Sequence, residues 1–527
     1  MRVQLLYPEG APVTPSMLVP FPETLGADLD LETLLGVMAR DDAAIHDVAS
    51  ETLRRGCTDP DIILYRQRVL RDALANGTAI RELYSLASAA IRAEHREWVP
   101  LSRSPQLSVS RSIRVLDGFL GTLGTLRSLA ERYASEFRSE GFQHLFAMTR
   151  DQLEEPYLQR LRGLLAQLRF PRGVWMSASL GPGLRGSGHS LREPPLPRKG
   201  WTSRLLGRRR SPDTIVVAER DESGHRFLSE LIDRGIDPVA QVLAQSVDHV
   251  SDFLTSLQRE LGFLLGAIHL SEELARRRAP TCFPVPGPLG PLHRSIRGLY
   301  DPSLALQLER PAVPNSLEAS ESRLFLITGA NQGGKTTFLR SVGLAQLLMQ
   351  AGLFVPAERF AANLVPSLFS HFPRAEDPSL RRGKLEEELL RLGAIARALR
   401  PGSLVLLNES LASTNEREGS EIARQITRAW LEVGAEVFFV TFLYDFAEGV
   451  AREGRADARF LRAERLPNGA RTFRVVEGRP LSTAFGDDVY REVFEVKAPV
   501  HLHPCSGRDS EGAEDRSGTD SRGTSPD

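Results

Sequence analysis

The chain has 527 residues, too many for one core at roughly 100–200 residues per domain, so several folding units are expected. With 41% apolar and 25% charged residues it has the composition of a globular protein, which argues against a disordered or membrane-embedded chain. Lys and Arg number 66 against 67 Asp and Glu, so global charge neither demands nor forbids a polyanionic partner; only a local basic surface would serve one.

The N-terminal segment, 1–27, breaks its apolar run at Pro8 and Glu9, too early for the apolar core of a signal peptide. No stretch reaches the roughly 20 apolar residues of a membrane span. Cys57, Cys282 and Cys505 lie far apart without a CxxC pair, which supports neither a zinc knuckle nor a disulfide framework. A cytoplasmic protein with no membrane partner is expected.

From about Asp28 to Arg169 the sequence is rich in Leu, Ala, Arg and Glu, and apolar residues recur at spacings of three and four. Ile62, Leu64, Val69, Leu70, Ala73 and Leu74 form one such stripe, which reads as core packing. Near 173–219 the period shortens toward two at Gly173-Val-Trp-Met-Ser-Ala-Ser-Leu and again at Asp213-Thr-Ile-Val-Val-Ala-Glu, predicting a small strand pair. The loop between them carries Arg198, Lys199, Arg204, Arg208, Arg209 and Arg210 around Trp201. It reads more simply as a solvated insertion than as a phosphate-backbone contact.

A long helical pattern returns from about Phe227 to Arg278, and then Pro280, Pro284, Pro286, Pro288 and Pro291 end it. A boundary near 300 follows, with a mainly helical region over 28–300 and an α/β region over 301–498. In the latter, Arg323 to Thr328, Ser403 to Leu407 and Glu436 to Thr441 read as buried parallel strands. The tail 499–527 has almost no apolar content and is expected to be disordered.

The chemistry is concentrated at Gly329-Ala330-Asn331-Gln332-Gly333-Gly334-Lys335-Thr336-Thr337, which holds the full GxxxxGK[ST] pattern between an apolar strand and a helical run. Glycines let the loop backbone turn its amides toward phosphate, and the helix adds its positive N-terminus. Lys335 would neutralise the β- and γ-phosphates of ATP, and Thr336 would ligate Mg²⁺. Ser403-Leu-Val-Leu-Leu-Asn-Glu supplies a second strand whose terminal Glu409 would orient or deprotonate the attacking water near the metal. Asn408 precedes it, able to accept from a metal-bound water but bringing no charge, so magnesium binding is expected with slow hydrolysis. Asn415 and Glu418 have the spacing of a helix cap with its reciprocal partner.

These residues resemble the ATPase domain of the MutS-type mismatch-repair family. The resemblance is carried by the Gly329–Thr337 loop, by Gln350-Ala-Gly-Leu-Phe-Val-Pro-Ala after the helix, and by Asn408-Glu409 with Thr414 following. It extends more weakly over about Asp28 to Phe494, with Ile62 to Asn76 similar to the start of that family's helical core. It implies a P-loop ATPase of the ABC-like class following an α-helical core and lever region. It also implies a homodimer whose composite sites are each completed by a partner's signature segment.

Gly383 and Lys384 occupy the place of that signature, with glycine where the family has serine. Asn315 sits where the family contacts nucleotide before a strand. Phe442 stands where a γ-phosphate-sensing histidine is expected, and Ala312 and Val313 where an adenine-stacking aromatic is expected. With the chain starting almost at the helical core, no room is seen for a mismatch-reading domain. The expectation is therefore an ATP-driven clamp on DNA that is not mismatch-specific, acting in repair or recombination control, with repair proteins as further partners. The alternatives are a nucleotide-binding scaffold with little or no hydrolysis, and a DNA-independent ATPase of the same fold.

Overall fold

Aspartates placed just before apolar stripes start the first long helices. Asp42 accepts hydrogen bonds from the amides of Ala44 and Ile45, and Asp59 from that of Asp61, with Pro60 at the first helical position. The computed structural model describes residues 1–10, 17–97, 104–184, 186–194, 216–289, 293–374 and 383–481, all within one compact unit, Met1–Ala484.

Helices α1 (Pro22–Asp28), α2 (Leu31–Ala39), α3 (Ala43–Arg54), α4 (Pro60–Ala75), α5 (Gly77–Arg96), α6 (Pro105–Tyr133), α7 (Glu140–Gln152) and α8 (Glu155–Leu168) come first. They pack around the C-terminal part of a 55-residue helix, α9 (Glu222–Arg276). Near its C-terminal end α9 is apolar almost all round, with Leu261 to Leu270 buried, whereas its first two turns are almost wholly exposed. The N-terminal segment joins this core: Val3, Leu5 and Leu6 are buried, and the Leu5 and Leu6 amides donate to the Glu260 carboxylate at 2.6 and 3.0 Å.

Two expectations need correction. Leu64 is 37% exposed, because it falls off the buried face that Ile62, Val69, Leu70 and Ala73 share. The strand pair is β1 (Met176–Leu180) with β2 (Gly186–Leu191), antiparallel, and not 173–180 with 213–219. A tight connection through Gly183 at φ +72° lets the chain return at once, and Val216 to Ala218 lie outside any strand. The basic run 198–210 with Trp201, Pro291, and the tail 499–527 with Cys505 lie outside the described residues.

After α9 the prolines feed an edge strand, β3 (Val285–Gly287), where the missing amide of Pro286 is tolerated. It belongs to a four-stranded sheet in the order β3-β7-β4-β5, with β4 (His293–Leu299), β5 (Asn315–Ser320) and β7 (Arg359–Asn363). The short α10 (Pro302–Gln307) precedes β5. The larger sheet runs β12-β11-β6-β10-β9-β8. It comprises β6 (Leu324–Gly329), β8 (Leu368–His371), β9 (Leu404–Asn408), β10 (Glu436–Val440), β11 (Ala458–Arg465) and β12 (Arg471–Glu477). As the apolar runs predicted, β6, β9 and β10 pair in parallel and are buried at every residue.

Helices α11 (Lys335–Ala351), α12 (Lys384–Ala398), α13 (Glu416–Val433) and α14 (Tyr444–Glu453) complete the α/β part. The Asn415 side chain caps α13 by accepting from the Glu418 amide, but the Glu418 carboxylate takes the Thr414 hydroxyl at 2.8 Å rather than completing a reciprocal cap. Among the described residues, no helix is long and apolar enough to cross a membrane.

The helical part and the P-loop helix are joined by buried polar contacts. Arg66 donates to the carbonyls of Leu6 and Ala351 at 2.8 and 3.3 Å, and Gln350 donates to the Cys57 carbonyl at 3.0 Å. A Cβ on Gly352 would stand 2.5 Å from that of Arg66, so the helix can end there only on glycine, which also takes φ +84°.

Candidate nucleotide site

The loop between β6 and α11 is curled by residues in the left-handed region: Gly329 at φ +105°, Gln332 at +55° and Gly334 at +92°. Glycine is required at the first and last for a second reason. A Cβ would lie 3.0 Å from the Ala463 nitrogen on β11 and 3.0 Å from the Phe473 carbonyl on β12, respectively. The β11–β12 hairpin, turned through Gly469 at φ +85°, is therefore pressed against the loop.

Lys335 is 5% exposed, and its ammonium donates to the carbonyls of Gly329 and Ala330 at 3.0 and 2.9 Å. The Phe442 ring centroid lies 4.6 Å from the same nitrogen. Burial pushes the Lys335 pKa down to about 8; Glu409 opposes this and Arg471 adds to it. Burial in turn raises the Glu409 carboxyl above its ordinary value, against the pull of Lys335. The two groups thus feel each other's field beside the cavity, and a carboxyl so raised is suited to accept a proton.

Glu409 holds a left-handed backbone at φ +51°, with its amide fixed on the Val440 carbonyl at 2.7 Å. Asn408 is buried and its side-chain oxygen accepts from the Thr336 hydroxyl at 2.9 Å. Two of the three residues expected near Mg²⁺, Thr336 and Asn408, thus touch each other, and with Glu409 they offer two neutral oxygens and a carboxylate that could face a hydrated cation.

Lys335, Thr336 and Glu409 border a cavity of about 370 Å³, which Asn408 does not reach. Asn331 to Thr337, Asn315 and Glu409 line it, while Gly329 and Ala330 lie behind Lys335 as its carbonyl partners. Asn315 is partly committed elsewhere, because its side-chain oxygen accepts from the Val475 amide at 2.7 Å and so ties β5 to β12. Gly383 and Lys384 are exposed at the start of α12 and do not line the cavity.

Sequence reasoning missed the far end. Leu304, Leu308, Arg310, Pro311 and Phe473 complete the wall, with the Arg310 guanidinium 6.0 Å from the Phe473 ring. No aromatic stands at Ala312 or Val313, and Phe473 supplies one from β12. Asp301 also reaches the wall. Its buried carboxylate faces Arg340 of α11 at 3.3 Å, and Arg340 bonds Asp30, just before α2, at 3.0 Å. The only available signal for Phe473 was an apolar residue in a short strand, which looks like any other core position.

Two family models match separate stretches of the chain. Residues 58–277 match the family model of the MutS2 N-terminal domain, and residues 325–493 match that of MutS domain V. An endonuclease MutS2 of Thermomicrobium roseum is 30% identical over 260 residues, 47% of this chain and 32% of that protein. A DNA mismatch repair protein MutS of Symbiobacterium thermophilum is 34% identical over 157 residues, 29% of this chain and 18% of that protein. A DNA mismatch repair protein MutS 2 of Halobacterium salinarum is 31% identical over 181 residues, 34% and 21% respectively. The matched stretches span about a third or less of these curated relatives. With both the helical part and the α/β part matched to models of one family, the chain belongs to the MutS-like family of mismatch-repair proteins.

Proposed function

We propose that this chain binds ATP with Mg²⁺ in the cavity at the start of α11 and uses binding and slow hydrolysis to switch a DNA-holding dimer in repair or recombination control. The observation that carries the reading is the convergence of Lys335 and Thr336, from the start of α11, and Glu409, from the end of β9, onto one cavity wall, with Asn408 accepting from the Thr336 hydroxyl. The triphosphate would lie across the loop amides and Lys335, the cation at Thr336 and Asn408, and the attacking water at Glu409. The base would stack on Phe473, which lines the cavity and is 39% exposed.

In this reading 301–498 is an ABC-like ATPase domain and 28–300 is the lever and clamp. Gly383 and Lys384, standing away from their own cavity, complete the site of a second copy. The names of the relatives, an endonuclease MutS2 and mismatch-repair MutS proteins, support DNA as the partner. The neutral Asn408 favours a second reading, a nucleotide-bound scaffold with little turnover that acts through protein partners. Steady-state ATP hydrolysis with and without branched, mismatched and single-stranded DNA separates the two. Stimulation by one DNA form, lost in Lys335→Ala and Glu409→Gln, supports the clamp; ATP binding without turnover or DNA effect sinks it.

A further inference from the structure

The segment from Glu409 to Thr414 follows β9 and contains two non-glycine residues in the left-handed region, Glu409 at φ +51° and Leu411 at +66°. Such backbone persists only where the surroundings hold it. Two buried side chains outside the cavity do so. His371, at the end of β8 and 1% exposed, has its Nδ1 2.7 Å from the Ser410 hydroxyl, and that hydroxyl also lies 3.3 Å from the His371 carbonyl. Glu388, on α12 and 4% exposed, accepts the Ser413 hydroxyl at 2.7 Å.

The other ring nitrogen of His371, Nε2, is buried without a hydrogen-bond partner among the described residues, so the Ser410 hydroxyl is the ring's polar contact. Burial, with Arg391 and Arg374 nearby, holds the His371 pKa down at about 3, and the ring therefore stays neutral across the working pH range. Neither residue lines the nucleotide cavity.

We propose that His371 and Glu388 are positioning residues that fasten the Glu409–Thr414 segment to β8 and α12 and so set the aim of the Glu409 carboxylate. The inference rests on the reading of Glu409 as the group that acts on the attacking water. The segment is held at both ends of its strained stretch, at Ser410 and at Ser413, and a displacement of α12 moves the second anchor directly. Because α12 begins with the exposed Gly383 and Lys384, contact at that end of the helix is passed toward Glu409 through the Glu388–Ser413 bond, while the His371–Ser410 bond holds the segment to β8.

The test uses Ser410→Ala and Ser413→Ala in the full chain, which delete one hydroxyl each and keep the core filled, together with His371→Ala and its conservative partner His371→Asn. The expected result is a fall in kcat of about tenfold or more for Ser410→Ala and His371→Ala, with KM and ATP affinity unchanged and activity restored in His371→Asn. Amide hydrogen exchange over 409–414 in nucleotide-free protein is expected to quicken in both hydroxyl deletions. Unchanged kcat, or kcat and ATP affinity falling together, overturns the proposal. If the wild-type chain itself shows no turnover, the ATPase reading fails, and unchanged exchange over 409–414 then overturns the anchoring as well.

Discussion

At one end of the cavity Lys335 is almost wholly buried, with two carbonyls, an aromatic ring and the field of Glu409 around its ammonium. At the other, Leu304, Leu308, Pro311 and Phe473 form an apolar wall, and Phe473 is 39% exposed. The first end is built from charge and fixed backbone, so in the proposed function it is expected to discriminate sharply and to tolerate little change. The second is built from apolar surface and one ring, so it is expected to add affinity and to accept another flat ring. Removing groups one at a time tests this contrast.

The largest effect is expected from Lys335→Ala. Loss of the buried ammonium should cost about 10²–10³ in turnover and most ATP affinity, read by nucleotide titration and steady-state assay. A variant that still binds ATP like wild type would show that the phosphate end is not charge-specified. Glu409→Gln comes next, with turnover down by about 10²–10⁴ and ATP binding retained, as the proposed action of the carboxylate on water rather than on the phosphates requires.

Phe473→Ala should weaken ATP by about 1–3 kcal/mol while leaving inorganic tripolyphosphate binding unchanged, and Phe473→Trp should restore ATP. Equal losses for both ligands would erase the distinction between the ends. The smallest effect concerns pH. Burial holds the Lys335 pKa at about 8, and a bound polyanion would favour its charged form. Binding therefore takes up a proton above that pH. Affinity should be full below about 8 and decline above it by no more than about tenfold per pH unit, a slope that calorimetry in two buffers can measure.

The contrast also explains what could be read in the sequence. The phosphate end is contiguous, because a strand, a turn of glycines and a helix N-terminus are local geometry and leave a local pattern. The strands β6, β9 and β10 were legible for a related reason: buried on both faces, they are unbroken apolar runs. The far end is assembled from a loop after α10 and from a hairpin, brought together across pairs such as Asn315 and Val475, 160 residues apart. No spacing rule reaches that far. The second strand of the β1–β2 pair was misplaced because Gly186-Ser-Gly-His-Ser-Leu has too few apolar residues to show a period, whereas 213–219 shows one and forms no described strand.

The long helix α9 carries a consequence for synthesis. Its buried part is the surface on which α2, α3, α5 and α6 rest, through contacts such as His269 with the Met38 carbonyl and Gln258 with Ser88. On a ribosome adding about 5–20 residues per second, those early helices wait on the order of ten seconds for their common support to emerge. During that interval the apolar faces of α2, α3, α5 and α6 that α9 will cover, with Leu34, Leu35, Ile45 and Ile80 among the buried residues of these helices, lack that support. Nascent chains halted at residue 221 should therefore be digested readily by protease, while chains extended far enough to release residue 277 should resist. Equal resistance would mean that the first helices find a stable arrangement of their own.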